Sequence, residues 1–569
     1  MAAAEIGYNK FFVPEKDLKY VPPYLGNTPE TTKEVKCPIV GDWPEWLDGT
    51  LIRMGSGRFT VPLSEDGSKP NAVLQHFFDG LAILHKFRMS NGQVYYSSRH
   101  TAEGVVQKAA RNGFITTTMF GPNANTPLIE AQDPCSALLG AQQSLYLPQG
   151  HLLPDEVNVN VVPRRGMHIP KGQNPHDIGS PAQAPEKEEI LVHTDFNMLQ
   201  VCDAKTLKPK RLLTYAQINP ELAGYGICAH PCKDRDRGMT FNYIIDPVTN
   251  VLSIFALDYR SNPASLLWKT PLPCEPCYIH SLAMTDKFVV FIRNPIHMDV
   301  SDVKKPVMEM LEYEPESPTK IFVLEKMSGK HVATYHSSDG FMFFHSVNAY
   351  DYVDEKSGET NIHVDVCSYP GNYIPFREYS LSNVLDPARP YQDGTLVRYE
   401  LEAVNLANIE KPGRVIVAAA IPGVASELPR ISKRVSMQRG YRYVYSTAGN
   451  GGPAPGTSVP IGRLGNGLKL VQGAFFGSLA KFDWQTGTYK RWQPPNGDSC
   501  PSEPIFIERP GSTEEDDGVV LTIVINKEGT QSILVVLDGR SFTEIARADM
   551  PQIYSLGPHG TFIEGAFGE

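Results

Sequence analysis

Leu257-Asp-Tyr-Arg-Ser261 and Phe482-Asp-Trp-Gln-Thr-Gly487 are two copies of one local pattern, and that pattern decides the fold. In each, an alternating apolar strand ends in an acid, a turn containing Ser or Thr follows, and a second strand begins. Leu324-Glu-Lys-Met-Ser-Gly329, Cys202-Asp-Ala-Lys-Thr206 and Leu537-Asp-Gly-Arg-Ser541 repeat it, and Phe87-Arg-Met-Ser-Asn-Gly92 is a looser sixth copy. The acid accepts turn amides while Ser, Thr, Asn or Gly closes the corner, so each copy reads as a hairpin. Copies lie about 55 residues apart, or near a multiple of that. Recurrent antiparallel units at this spacing predict a β-propeller, in which each blade is one meander and a ring of blades leaves no long open edge. A β-sandwich chain would not repeat one hairpin so many times.

Composition agrees. The chain has 569 residues, 41% hydrophobic and 20% charged, with 47 Gly and 47 Pro, which favours many short strands over long helices. Length alone would suggest three or four domains, but closed β architectures run long, and the whole of 1–569 reads as one domain. Helix-compatible segments are few, Thr101–Asn112 and Asp133–Tyr146 being the best, and Pro-rich stretches interrupt the pattern at Pro170–Pro185 and Val303–Pro318. Residues 101–188 are expected to contribute a small helical and loop cap over one face of the ring.

A net charge of −10 gives no global attraction for nucleic acid or anionic lipid. The nine cysteines are scattered; Cys274 and Cys277 form a C-x-x-C without a second pair at zinc-ribbon spacing, so reduced thiols are expected. The first residues lack the regions of a signal peptide. The best apolar run, around Val415–Val424, is too short to span a bilayer and carries Pro422. The expected location is cytoplasmic.

Four of the fifteen histidines share a setting at an apolar or small-residue strand end: His230 in Cys-Ala-His-Pro, His280 in Cys-Tyr-Ile-His-Ser, His345 in Phe-Phe-His-Ser-Val-Asn, and His559 in Gly-Pro-His-Gly-Thr-Phe. Taken singly, each reads as a hydrogen-bonded core histidine. In a propeller, residues 50, 65 and 214 positions apart converge on the axis from separate blades, which makes a four-imidazole metal site. Imidazole suits iron, zinc and copper alike.

At these residues the sequence resembles the carotenoid cleavage oxygenases, closest to the fungal and animal branches. The match runs from Trp46-Leu-Asp-Gly-Thr-Leu-Ile-Arg53 and Gly55 through His76-Phe-Phe-Asp-Gly80, Leu84-His-Lys-Phe87 and all four histidine segments. It ends at Pro501-Ser-Glu-Pro-Ile-Phe506 and Asp516-Asp-Gly-Val-Val-Leu521. The resemblance implies a seven-bladed propeller with one iron(II) on His230, His280, His345 and His559. It further implies carboxylates behind three of the histidines: Glu503 and Glu427 match, and Asp195 falls where the family has Glu. Aspartate is one methylene shorter, so either the backbone comes closer or water intervenes.

The resemblance also implies a substrate lining that includes Phe120, Val159 (shielding one coordination position), Thr194 and Tyr278. Stilbenoid-cleaving relatives hold a phenolic hydroxyl with a lysine at the position of Thr194, and Thr194 cannot serve as that cation. An apolar polyene needs no such anchor. The implied activity is therefore oxidative cleavage of a carotenoid or apocarotenoid double bond by dioxygen, the alternative being a smaller stilbenoid or phenylpropanoid anchored elsewhere. A retinoid-type isomerase using the metal as a Lewis acid and a silent binding propeller are weaker readings, since a scaffold needs neither the histidines nor the glutamates. A lipid-soluble substrate implies weak peripheral contact with a membrane or lipid droplet, expected at Leu138, Leu139, Leu145 and Tyr146.

Overall fold

The protein is described by a computed structural model over residues 25–115, 120, 152–167, 189–300, 307–314, 316–371, 375–384, 391–407, 410–449, 471–473 and 477–565. Its architecture is all-β and propeller-like. Short strands rich in β-branched residues, such as Gly518–Ile525 (GVVLTIVI), pair with their neighbours in sequence. One sheet shows the rule: Cys232–Asp234, Met239–Asp246, Val251–Asp258 and Ser265–Pro271 follow one another as an antiparallel meander. Four more sheets of four or five strands repeat this order, and an eight-stranded sheet joins two such meanders where Tyr335–His336 runs parallel to Gly413–Arg414. Apolar side chains on facing sheets interlock between them: Leu191, Val201 and Leu213 of one sheet pack on Ile244, Phe255 and Leu257 of the next.

The recurrent hairpin does what its chemistry predicts. Asp538 Oδ1 accepts the amides of Arg540 and Ser541 at 3.1 and 2.7 Å. Asp258 holds Arg260 and Ser261 at 2.9 and 3.2 Å, and Asp483 holds Gln485 at 2.9 Å. Every copy joins the third strand of a meander, counted outward from its innermost strand, to the fourth, which is why the copies recur at blade spacing. Glu325 differs: with the longer side chain it takes the Ser328 hydroxyl, and the turn is closed by Gly329, at φ 70°.

The chain ends tie the ring. Ile39–Gly41 adds an outer strand to the sheet of Glu544–Asp549, while Gly560–Glu564 adds the central strand beside Gly49–Arg58. The expected first helix is present as Glu103–Asn112, stopped by Gly113 at φ 82°. Asp133–Tyr146, Pro170–Pro185 and most of the expected cap lie outside the described residues. The second Pro-rich stretch contains a turn of helix at Val307–Met310 and a strand at Leu311–Tyr313. The eight described cysteines, Cys274 and Cys277 among them, are free thiols. The apolar run Val415–Val424 lies inside the strand Gly413–Ala425. Among the described residues no helix is long and apolar enough to cross a membrane.

Candidate metal centre and its cavity

His230 and His280 stand just before the central strands of adjacent sheets, locked together by the His230 amide donating to the His280 carbonyl at 3.2 Å. His345 lies in the long strand Phe341–Val353 at a break in register between Phe343 and Ser346. Such a bulge re-aims a side chain that regular alternation would send elsewhere. His559 precedes the closing strand, and its carbonyl accepts the Met54 amide at 2.9 Å. The loop before it fits only because Gly557 lacks a Cβ, which would sit 1.7 Å from the Met54 carbonyl oxygen.

One ring nitrogen from each of the four histidines lies within 4.8 Å of the others. Nε2 of His559 is 3.0 Å from Nε2 of His230 and 3.2 Å from that of His345. Three of the far nitrogens face carboxylates. His280 Nδ1 is 3.0 Å from both oxygens of Asp195, His345 Nδ1 is 2.5 Å from Glu427, and His559 Nδ1 is 2.9 Å from Glu503. The shorter Asp195 thus reaches its histidine directly, without water. These contacts place the proton on Nδ1 and the Nε2 lone pair inward. Among the described residues, no carboxylate is hydrogen-bonded to His230.

A further layer holds the carboxylates. Tyr278 donates to Asp195 at 2.7 Å, Tyr369 to Glu427 at 2.8 Å, and Arg430 to Glu503 at 3.0 Å. Arg53, fully buried, donates to the Glu503 carbonyl at 2.9 Å, which explains its place in the Trp46–Arg53 segment. Burial alone would raise the Glu503 carboxyl, but Arg430, His559 and Arg53 outweigh it and hold it well below the usual range. Burial pushes His559 down to about 3, against the pull of Glu503, and holds His230 far down with help from the other three rings. Neutral imidazoles with converging lone pairs about 3 Å apart repel one another; a divalent cation between them removes the repulsion. The donor set fits a metal of the iron, zinc or copper kind.

His280, His345 and His559 open onto a cavity of about 820 Å³, open solvent at its mouth included, walled by Phe77, Phe78, Phe120, Phe344 and Tyr379. Phe78 stacks on Tyr379 at 4.7 Å and meets Phe120 edge-on at 5.4 Å. The segment His76–Gly80 forms this wall as a short turn over Phe77–Asp79, capped by His76 Nδ1 accepting the Phe78 amide. Phe120 and Thr194 line the cavity. Val159 does not: it is sealed among Ile52, Met54, Leu84 and Val192, whereas Asn158, Asn160 and Val161 face the cavity. The segment turns the opposite face inward because Asn158 and Asn160 donate to the carbonyls of Phe78, Asp79 and Gly80. Tyr278 is not a wall residue either, since its hydroxyl is used behind His280. Sequence reasoning missed Arg430, though it stands three residues past Glu427; for Tyr369 the sequence carries no local signal.

A family model described as retinal pigment epithelial membrane protein matches residues 25–564. A carotenoid dioxygenase of Neurospora crassa is 27% identical, covering 93% of this chain and 88% of its own. A torulene dioxygenase of Fusarium fujikuroi is 26% identical over 94% and 91%, and a beta,beta-carotene 15,15'-dioxygenase of Mus musculus is 25% identical over 95% and 91%. Among solved structures, cobalt-substituted Synechocystis ACO superposes with a TM-score of 0.67 at 19% identity, over 95% of this chain and 98% of that one.

Proposed function

The chain belongs to the retinal pigment epithelial membrane protein family, and on that premise we propose that it is a non-haem iron(II) dioxygenase splitting a conjugated double bond of a carotenoid or apocarotenoid into two carbonyl products. The observation that carries this reading is a four-imidazole cluster opening onto an aromatic cavity. Among the described residues lining that cavity there is no Lys or Arg, so nothing there matches the cation that would hold a phenolate. His230, His280, His345 and His559 would hold the iron, whose charge four neutral ligands leave undiminished. Bound there, iron(II) supplies the activation of dioxygen. Asp195, Glu427 and Glu503 fix the rings, and Phe77, Phe78, Phe120, Phe344 and Tyr379 bury the polyene and exclude water.

Seven blades in one domain fit the same premise. Counting the eight-stranded sheet as two meanders, each meander supplies one residue of the centre: His559, Asp195, His230, His280, His345, Glu427 and Glu503 in ring order. Peripheral membrane contact at Leu138, Leu139, Leu145 and Tyr146, all outside the described residues, would supply a lipid-soluble substrate; Leu138→Ser with Leu139→Ser should then weaken liposome binding.

Iron-loaded protein incubated with a panel of carotenoids, apocarotenoids and hydroxystilbenes should consume oxygen and yield aldehydes or ketones from the polyenes, read by mass spectrometry. Isomerised product without oxygen uptake, or cleavage of the stilbenes alone, would overturn the assignment.

A further inference from the structure

His76 stands behind the cavity wall: it is 3% exposed and absent from the lining, although Phe77 and Phe78 beside it are wall residues. Both of its ring nitrogens are engaged, in different directions. Nδ1 accepts the Phe78 amide at 3.2 Å, within its own turn, and Nε2 donates to the carbonyl of Phe376 at 2.7 Å, three hundred residues on. Accepting at one nitrogen and donating at the other fixes a single neutral tautomer. Burial, against the pull of the Phe376 carbonyl, holds the ring down at about 4 and so keeps it neutral.

The main chain already joins the two segments at one point. The Phe77 amide donates to the Tyr379 carbonyl and the Leu381 amide to the Gln75 carbonyl, both at 2.9 Å, around a bridge between His76 and Ser380. The His76 side chain adds a second point, reaching back to the single helical turn Pro375–Glu378, which is too short to hold itself. Two points fix an orientation where one allows a pivot. Rings continue the tie: His76 stacks on Phe120 at 5.2 Å and Phe120 on Phe376 at 5.5 Å, while Asp79 of the same turn accepts the Phe120 amide at 3.0 Å. Phe376 meets Tyr278 edge-on at 4.8 Å and Phe344 at 5.3 Å, so the stack ends against the ring whose hydroxyl serves behind His280.

We propose that His76 is a positioning residue that sets the register of the polyene against the metal, by clamping its own turn to Pro375–Glu378 so that Phe78, Phe120 and Tyr379 act as one rigid surface. Neighbouring double bonds of a polyene are chemically alike, so the one that reacts is chosen by how the chain lies along its wall. A misplacement of about 1 Å can cost about 100-fold in rate. This role presupposes the polyene site proposed above, and it assigns the choice of bond to a residue outside the lining.

The two hydrogen bonds can be removed separately. His76→Asn keeps an acceptor for the Phe78 amide but is too short to reach Phe376; His76→Gln reaches Phe376 with its amide; His76→Phe keeps the ring stack and neither bond. Binding of a long apocarotenal to the iron-loaded full chain without oxygen is measured first, by circular dichroism in its visible band. Oxygen is then admitted and the products are separated by chain length. His76→Asn and His76→Phe should bind about 10-fold more weakly, the worth of one hydrogen bond. Both should raise KM more than they lower kcat and give mixed cleavage positions, with iron content unchanged. His76→Gln should recover the affinity and a single position. If His76→Phe does not fold, the Asn and Gln variants decide between themselves. Wild-type affinity and a single cleavage position in folded His76→Asn, or a His76→Gln no better than His76→Asn, would overturn the role of His76. A wild type that binds the apocarotenal, loses affinity in these variants as expected and leaves the polyene uncleaved would sustain the clamp and overturn the dioxygenase reading instead.

Discussion

Asp195 shows how much of the centre rests on single side chains. Its two oxygens serve His280 Nδ1, the Tyr278 hydroxyl and the Ala229 amide, at 2.7 to 3.1 Å. One more methylene would have to push His280 inward or give up Tyr278. Asp195→Glu, conservative on paper, is therefore expected to lower iron content about 10-fold after dialysis against a chelator, within the range outer partners typically command. Glu427→Gln should lose about as much. Replacing any one of His230, His280, His345 or His559 with Ala should abolish iron binding, and full iron in two of those variants would remove the assignment. At this scale the sequence was readable where a motif marks the position, as for Glu427, Glu503 and the histidines. It was not readable where the partner is chosen by ring geometry. Tyr369 reaches Glu427 across 58 residues, and which face of 158–161 meets the cavity depends on where Asn158 and Asn160 find carbonyls.

The hairpins were legible because their chemistry is local: an acid and the amides two and three residues on. The same device closes turns the pattern did not single out, at Asp246 and Asp354, which join other strands of their sheets. Asp538→Ala should cost about 1.5–3 kcal/mol, the net worth of hydrogen bonds to a charged group, read by denaturant unfolding. Asp234→Asn should cost more. Asp234 accepts Lys326 Nζ at 2.9 Å from the neighbouring sheet, and both side chains are almost fully buried. Breaking such a pair typically costs about 3–5 kcal/mol. Burial alone would raise the Asp234 carboxyl, but the Arg237 amide, Lys326 and the Arg237 side chain outweigh it and hold it at about 2, against 3.8 ordinarily. A depressed carboxyl stabilises the fold fully above its ordinary value and loses that contribution as pH falls toward the folded one. The wild type should accordingly lose stability between about pH 4 and pH 2 through this group, and the Asn variant should lack that part of the acid limb.

The ring as a whole is held by pairings that no local reading could supply, because they join residues some five hundred positions apart. Gly560–Glu564 lies along Gly49–Arg58 from Gly49 opposite Glu564 to Arg53 opposite Gly560, and Gln552 donates to the Pro29 carbonyl at 2.7 Å. The two closures differ in depth. The outer one rests on Ile39–Gly41, three residues with Val40 60% exposed; the central one carries His559 at its entrance and sits against Arg53 and Glu503. A chain ending at His559 would keep all four histidines but lose the Gly560 amide that holds Glu503 at 2.8 Å, and the strand that closes the first sheet. Such a chain should melt several degrees below the full one and retain little iron, although its ligand set is complete. Val40→Pro, which disturbs only the outer closure, should lower the melting midpoint less and leave iron content unchanged. Thermal denaturation and metal analysis of the two variants side by side decide the matter: a truncated chain that keeps its iron would mean that the histidines are held by their own sheets, and that ring closure serves stability alone.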